Sequence, residues 1–189
     1  MAAIDLIVLG MIKQTPQSAY DLQKNVEYRN ISRWVKISTP SIYKKVVQME
    51  EKGYIKGTVT KDGKMPEKSI YEITPEGDAY FEKLMEKTAM QSVSIFLDFN
   101  AVIMSLDFAE PAKREELLEH IRKGISDLKE VIGENSRKRT HIPMTGQTIL
   151  EQQYLMASSM EDWIVKFMSE YLGKDPGKDL GSDAGGEKI

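Results

Sequence analysis

A mostly helical protein with one small β-ribbon is what this 189-residue chain predicts. Three observations predict it. Apolar residues recur at three- and four-residue spacing through most of the length. Only Tyr54–Ile73 is rich in β-branched and aromatic residues around a turn signal, Lys61-Asp62-Gly63-Lys64-Met65-Pro66-Glu67-Lys68. Helix-start signals stand ahead of periodic runs at Ser18, Thr39-Pro40, Thr74-Pro75 and Pro111.

In chain order, the apolar stretch Ile4 to Ile12 supplies a first helix to pack beneath the others. Ser18-Ala-Tyr-Asp21 reads as a capping box that opens a second short helix, Ala19 to about Tyr28. Trp34 reads as a cap over the hydrophobic core. Thr39 at the N-cap and Pro40 at the first helical position then open a third helix, because a proline there lacks only an N–H that would be unsatisfied anyway. Ile42, Val46 and Met49 give it an apolar stripe, widened by Tyr43 and Val47. Ser41, Lys44, Lys45 and Gln48 share the opposite face, and Gly53 stops the helix as a left-handed residue does. Strands over 54–59 and 70–73 make the ribbon, whose tip carries Lys61, Lys64 and Lys68. Thr74-Pro75 starts the next helix, which runs to about Lys87.

Helix, helix, helix, ribbon, helix is the order of a winged helix-turn-helix head. A helix face of hydrogen-bond donors and positive charge suits a DNA major groove. At these residues the chain resembles the PadR family of transcriptional regulators. The resemblance rests on Ser18-Ala19-Tyr20-Asp21-Leu22, on Ser38 and Tyr43, on Glu50-Glu51-Lys52-Gly53-Tyr54-Ile55, and on Tyr71-Glu72-Ile73-Thr74-Pro75-Glu76-Gly77. It departs at Ser18-Ala19, where many members have His-Gly, at Val47 and Met49, where leucine is usual, and at Met65-Pro66-Glu67 in the wing. It implies that Tyr20 and the Tyr43 hydroxyl reach DNA backbone, that such proteins are most often repressors, and that a C-terminal helical region dimerises and holds an effector. The expected DNA contacts are Tyr20, Thr39, Ser41, Tyr43, Lys44, Lys45, Gln48, Lys61, Lys64 and Lys68. Gln48 can pair with adenine through two hydrogen bonds, whereas the lysines are suited to phosphates.

Charge agrees once its distribution is read. The chain carries −3 overall, yet from Lys13 to Lys68 twelve basic residues outnumber six acidic ones, leaving nine net negative charges elsewhere. A basic head on an acidic body suits a DNA-binding dimer. The absence of cysteine excludes disulfides and thiolate metal sites and suits the cytoplasm. No secretion signal and no membrane span is expected, so the Asn30-Ile31-Ser32 sequon is read as accidental. His120 and His141 lack partners at ligand spacing, and there is no phosphate-binding glycine loop, nucleophile elbow or acid–base dyad. No enzyme chemistry, cofactor or metal is expected.

The second half predicts three further helices. The first, Met90 to Leu106, is apolar on most sides and is expected to be buried. The second runs from Pro111 to about Arg139 on a stripe of Leu117/Leu118, Ile121, Ile125, Leu128 and Ile132. Arg137-Lys138-Arg139 closes it, favouring the negative end of the helix dipole. After a break at 140–146, the third covers about Gln147 to Leu172, with a stripe of Ile149, Met156, Met160, Trp163, Phe167 and Tyr171. That stripe reads as core and dimer seam, or as a pocket for a small aromatic effector. Domains are expected at 1–88 (DNA-binding head), 89–172 (helical dimerisation and effector region) and 173–189 (disordered tail). The whole reads as a homodimeric regulator binding a palindromic double-stranded operator. The alternatives are another winged-helix regulator, such as a MarR-like one, and a winged-helix protein-docking module with only non-specific DNA affinity.

Overall fold

The computed structural model describes residues 2–35, 37–61 and 67–173. The chain divides into two compact units, Met1–Ser94 and Ile95–Ile189. Lys64 and the expected tail beyond Gly173 lie outside the described residues.

The first unit is built on helix α1 (Ala2–Gln14), which is apolar enough to be packed against several neighbours. Val8, Leu9 and Ile12 of α1 are fully buried with Leu22 and Val26 of α2 (Ala19–Tyr28) and Ile42, Val46 and Met49 of α3 (Ser41–Glu51). The capping box forms: Ser18 is the N-cap, its Oγ accepts the Asp21 N–H, and its hydroxyl donates to Asp21 Oδ2 at 2.7 Å. Helix α3 differs from expectation at its start. It begins one residue later than Pro40, and Thr39 makes no side-chain cap. Instead the Ser41 hydroxyl turns back to donate to the Ser38 carbonyl at 2.5 Å, and the Ile42 N–H bonds the Thr39 carbonyl. At the other end Gly53 takes φ 74°, with Gly53 N–H bonded to Glu50 and Tyr54 N–H to Met49. That double bond is a Schellman motif, and it turns the chain sharply into the ribbon.

The ribbon pairs β1 (Ile55–Thr60) with β2 (Lys68–Ile73) in antiparallel register from Ile55 opposite Ile73 to Thr60 opposite Lys68. A third edge was not expected: Gln17 pairs with Tyr71 through two backbone hydrogen bonds, docking the turn between α1 and α2 on the ribbon. Helix α4 (Pro75–Ala89) starts on the Thr74 cap with Pro75 at its first turn. Trp34 departs from expectation: it is 38% exposed and lies outside the core cluster, to which its neighbours Val35 and Ile37 contribute instead.

The second unit holds the larger correction. No helix spans Met90–Leu106: residues 92–97 have no regular structure, and only the short α5 (Asn100–Ser105) follows, then a 3₁₀ turn at Leu106–Phe108. Nor is most of the segment buried: Met90, Val93, Phe96 and Met104 are all more than 80% exposed, whereas Leu106 at its end is buried. A helix apolar on every side needs neighbours on every side, which one copy of the chain does not supply. Ser92, Ser94, Asp98 and Asn100 meanwhile offer the backbone competing hydrogen bonds. Helices α6 (Pro111–Lys138) and α7 (Met144–Gly173) form an antiparallel pair. Leu118, Ile125 and Ile132 of α6 are buried, as are Ala157 and Ile164 of α7. The break between them is shorter than expected, because Pro143 accepts from Gly146 and Gln147 and so places Gly146 inside α7.

Candidate nucleic-acid interface

The two faces of α3 separate by burial. Ile42, Val46 and Met49 anchor it, and Tyr43, Lys44 and Val47 stand in solvent with Ser41 and Gln48 half-buried at their flanks. Tyr43 and Val47 are 43% and 51% exposed, so neither widens the core stripe as the periodicity suggested. Val47 is the outward residue that sequence reasoning missed. At about 100° per residue it lies well round the helix from the Ile42, Val46 and Met49 stripe, so the helical period itself was the signal that could have placed it outward.

Lys45 goes the other way. Its Nζ lies 2.8 Å from Asp5 Oδ1 of α1, with both side chains less than a fifth exposed. The Tyr80 hydroxyl donates to the other Asp5 oxygen at 3.3 Å, and the Tyr80 ring stacks on Tyr54 at 4.2 Å. Burial first, then the Asp5 charge, pushes the Tyr80 hydroxyl pKa up. Lys45 thus ties α3 to α1, while Lys44 beside it points to solvent.

The remaining head residues surround α3. Tyr20 is 54% exposed on α2, with the Lys24 ammonium 4.9 Å from its ring centroid. That hydroxyl, through a hydrogen bond, raises the Lys24 pKa. Thr39 is half-buried in the turn leading into α3. On the ribbon, Lys61 lies 3.7 Å from Glu67, and Lys68 lies 4.0 Å from Asp21 of α2. These exposed pairs add little stability, which leaves both lysines available to an external anion at small cost. Glu50 is turned away from the exposed face, its carboxylate accepting the Gly57 N–H at 2.9 Å.

Residues 8–83 match the family model described as the transcriptional regulator PadR-like family. Residues 8–83 are a PadR-like domain. The fold as a whole is similar to Bacillus subtilis PadR in complex with operator DNA, at TM-score 0.75 and 13% identity, covering 89% of this chain and 98% of that one. It is also similar to a PadR-like transcriptional regulator from Bacillus cereus, at TM-score 0.70 and 20% identity, covering 91% and 99%. Bacillus subtilis PadR in complex with p-coumaric acid gives TM-score 0.73 at 12% identity, covering 91% and 96%. At these identities the likeness establishes the fold: a PadR-like winged helix with a C-terminal helical region. No match was found among curated protein sequences. The family and these neighbours are transcriptional regulators rather than enzymes.

In the second unit, four rings form a ladder: Phe99 to Trp163 at 5.9 Å, Trp163 to Phe167 at 5.9 Å, and Phe167 to Tyr171 at 5.2 Å. The Tyr171 hydroxyl closes the ladder by donating to Asp107 at 2.6 Å, and its pKa is raised by burial first and by that carboxylate second. Met160, Phe167 and Tyr171 pack against the α6–α7 core, Ile149 is half-buried, and Met156 and Trp163 are 37% and 39% exposed. The stripe named from sequence therefore runs along the edge of the helix–helix contact. Its centre is Ala157 and Ile164.

Proposed function

We propose that the protein is a homodimeric PadR-like repressor that binds a palindromic double-stranded operator in the cytoplasm and is released by a small aromatic effector. The observation that carries the DNA reading is the exposed face of α3, where Lys44, Tyr43 and Gln48 stand together beside a lysine-bearing ribbon. A donor-rich helix of that size fits a major groove, and the ribbon fits flanking phosphates or a minor groove. That Bacillus subtilis PadR, similar in fold, was solved with operator DNA supports the same use of this head.

Dimerisation is supported by apolar surface that a single copy leaves in water: Met104, Phe108, Leu155, Trp163 and Val165 of the second unit are all at least 39% exposed. Where exposed apolar side chains gather into a contiguous patch, they mark an interaction surface. A second copy would cover them and supply the twofold axis of an inverted repeat. The ring ladder and the p-coumaric acid complex of Bacillus subtilis PadR support a flat aromatic effector stacking on Trp163. Such a ligand lowers operator affinity only by binding the DNA-free arrangement more tightly than the DNA-bound one.

The deciding experiment is a salt-dependent mobility shift on the chain's own promoter beside random duplex. Specific retention at moderate salt is expected. Binding that is blind to sequence and erased by salt would instead make the head a protein-docking module with only non-specific DNA affinity.

A further inference from the structure

Val47 is an anomaly on the face that holds it. It stands in the middle of α3, 51% exposed, one turn from Tyr43 and next to Lys44 and Gln48. Every neighbour on that face carries a polar tip, whereas an isopropyl group can make neither a hydrogen bond nor an ion pair. Half exposed, it is not needed to close the core of the head, which Ile42, Val46 and Met49 close on the other side. Its complement must be apolar and small, and set among acceptors and negative charge, since Lys44 stands one turn before it and the span from Lys13 to Lys68 is net positive, although Glu51 lies exposed one turn after it. One surface has that chemistry: the major-groove edge of an A·T pair, where the thymine 5-methyl group is the only apolar feature among donors and acceptors.

We propose that Val47 is a specificity-determining residue that reads a thymine methyl group in each operator half-site, beside the base pair read by Gln48. This rests on the reading that α3 enters the major groove. The branched side chain is stiff on a helix, so the methyl is recognised without freezing further rotamers. A cytosine at that position would present hydrogen where thymine presents methyl, and the isopropyl group would lose its contact.

The test uses the full chain and an operator selected from random duplexes. Each thymine of one half-site is replaced in turn by deoxyuridine, which removes the 5-methyl group and leaves base pairing intact. At one position affinity should fall about fourfold, the effect of exposing one buried methyl-sized group. Val47→Ala, which keeps only the Cβ methyl, should discriminate the thymine and uracil forms of that operator less than the wild type does. This variant keeps its fold, because the position is exposed and alanine favours helix, and circular dichroism checks that. Uracil tolerated at every position overturns the proposal while leaving the groove reading intact. So does a uracil penalty that persists undiminished in Val47→Ala. Selection that enriches no sequence overturns both.

Discussion

Lys44 and Lys45 are adjacent, identical and placed by sequence on one polar face, yet their surroundings give them different tasks. Lys45 is held by Asp5, and both side chains are mostly withdrawn from water. Removing one partner of such a pair leaves a charge stranded, which costs about 3–5 kcal/mol in buried settings and less where water reaches the pair. Lys45→Met should therefore lower the denaturation midpoint markedly. Lys45→Met combined with Asp5→Asn should recover most of the loss, and a double variant as unstable as the single one would show that the ion pair is not the cause. Lys44→Ala should leave stability unchanged, weaken all DNA sequences about equally, and flatten the salt dependence by about one unit. Gln48→Ala should instead relax base preference, costing about 1–3 kcal/mol against the best site. Selection of operators by wild type and variant measures it, and an unchanged preference would place Gln48 outside the readout.

At the scale of elements, the recognition helix is positioned by how it stops. Gly53 in the left-handed region turns the chain out of α3, and the Thr74 hydroxyl bridges the two ends of the ribbon, donating to the Gly53 carbonyl at 2.6 Å and accepting the Gly77 N–H at 3.0 Å. Two glycines are thus required for different reasons. At Gly53 a Cβ would meet nothing within 4 Å, so Gly53→Ala costs only backbone strain, about 1–2 kcal/mol. At Gly77 a Cβ would sit 1.9 Å from the Tyr54 carbonyl oxygen, which is itself bonded to the Thr74 N–H. Gly77→Ala must displace the ribbon or α4, and should destabilise the head by more than Gly53→Ala in parallel thermal melts. In the second unit, Lys129 of α6 and Glu161 of α7 join the helix pair at 2.6 Å. The Lys129 hydrogen bond, ahead of its charge and against the cost of desolvation, holds the Glu161 carboxyl below its usual range. A depressed folded value means that this contribution is present above the ordinary carboxylate pKa and is lost as pH falls through the folded one. Melts of the wild type should therefore lose stability on acidification more steeply than those of Glu161→Gln.

For the whole molecule, charge and apolar surface are segregated. Positive charge gathers in the head, whereas the uncovered hydrophobic side chains concentrate from Met90 onward. Truncation before Gln147 removes α7 and with it the buried Ala157 and Ile164, so the α6 face opposite them is laid open. The shortened chain should sediment as a monomer or aggregate and should bind operator far more weakly. A truncated chain that remains a soluble dimer of full affinity would remove α7 from the assembly. An aromatic carboxylate titrated into a Trp34→Phe background should quench Trp163 and lower operator affinity together. Quenching without loss of DNA binding would mark adventitious stacking on the ring ladder.

Local chemistry sufficed for the head's outline. The Ser18 and Thr74 caps, the Gly53 stop and the ribbon all follow from groups within a few residues of one another, where propensity and hydrogen bonding act without help from distant chain. Long-range packing decided the rest. Asp5 claimed Lys45 from forty residues away, an attraction that no helical period encodes. The sequence between Met90 and Leu106 was apolar enough for a buried helix, but burial is a property of neighbours rather than of residues. Tertiary structure supplied neighbours for Leu106, Val102 and Ile103 and none for Met90, Val93 or Phe96.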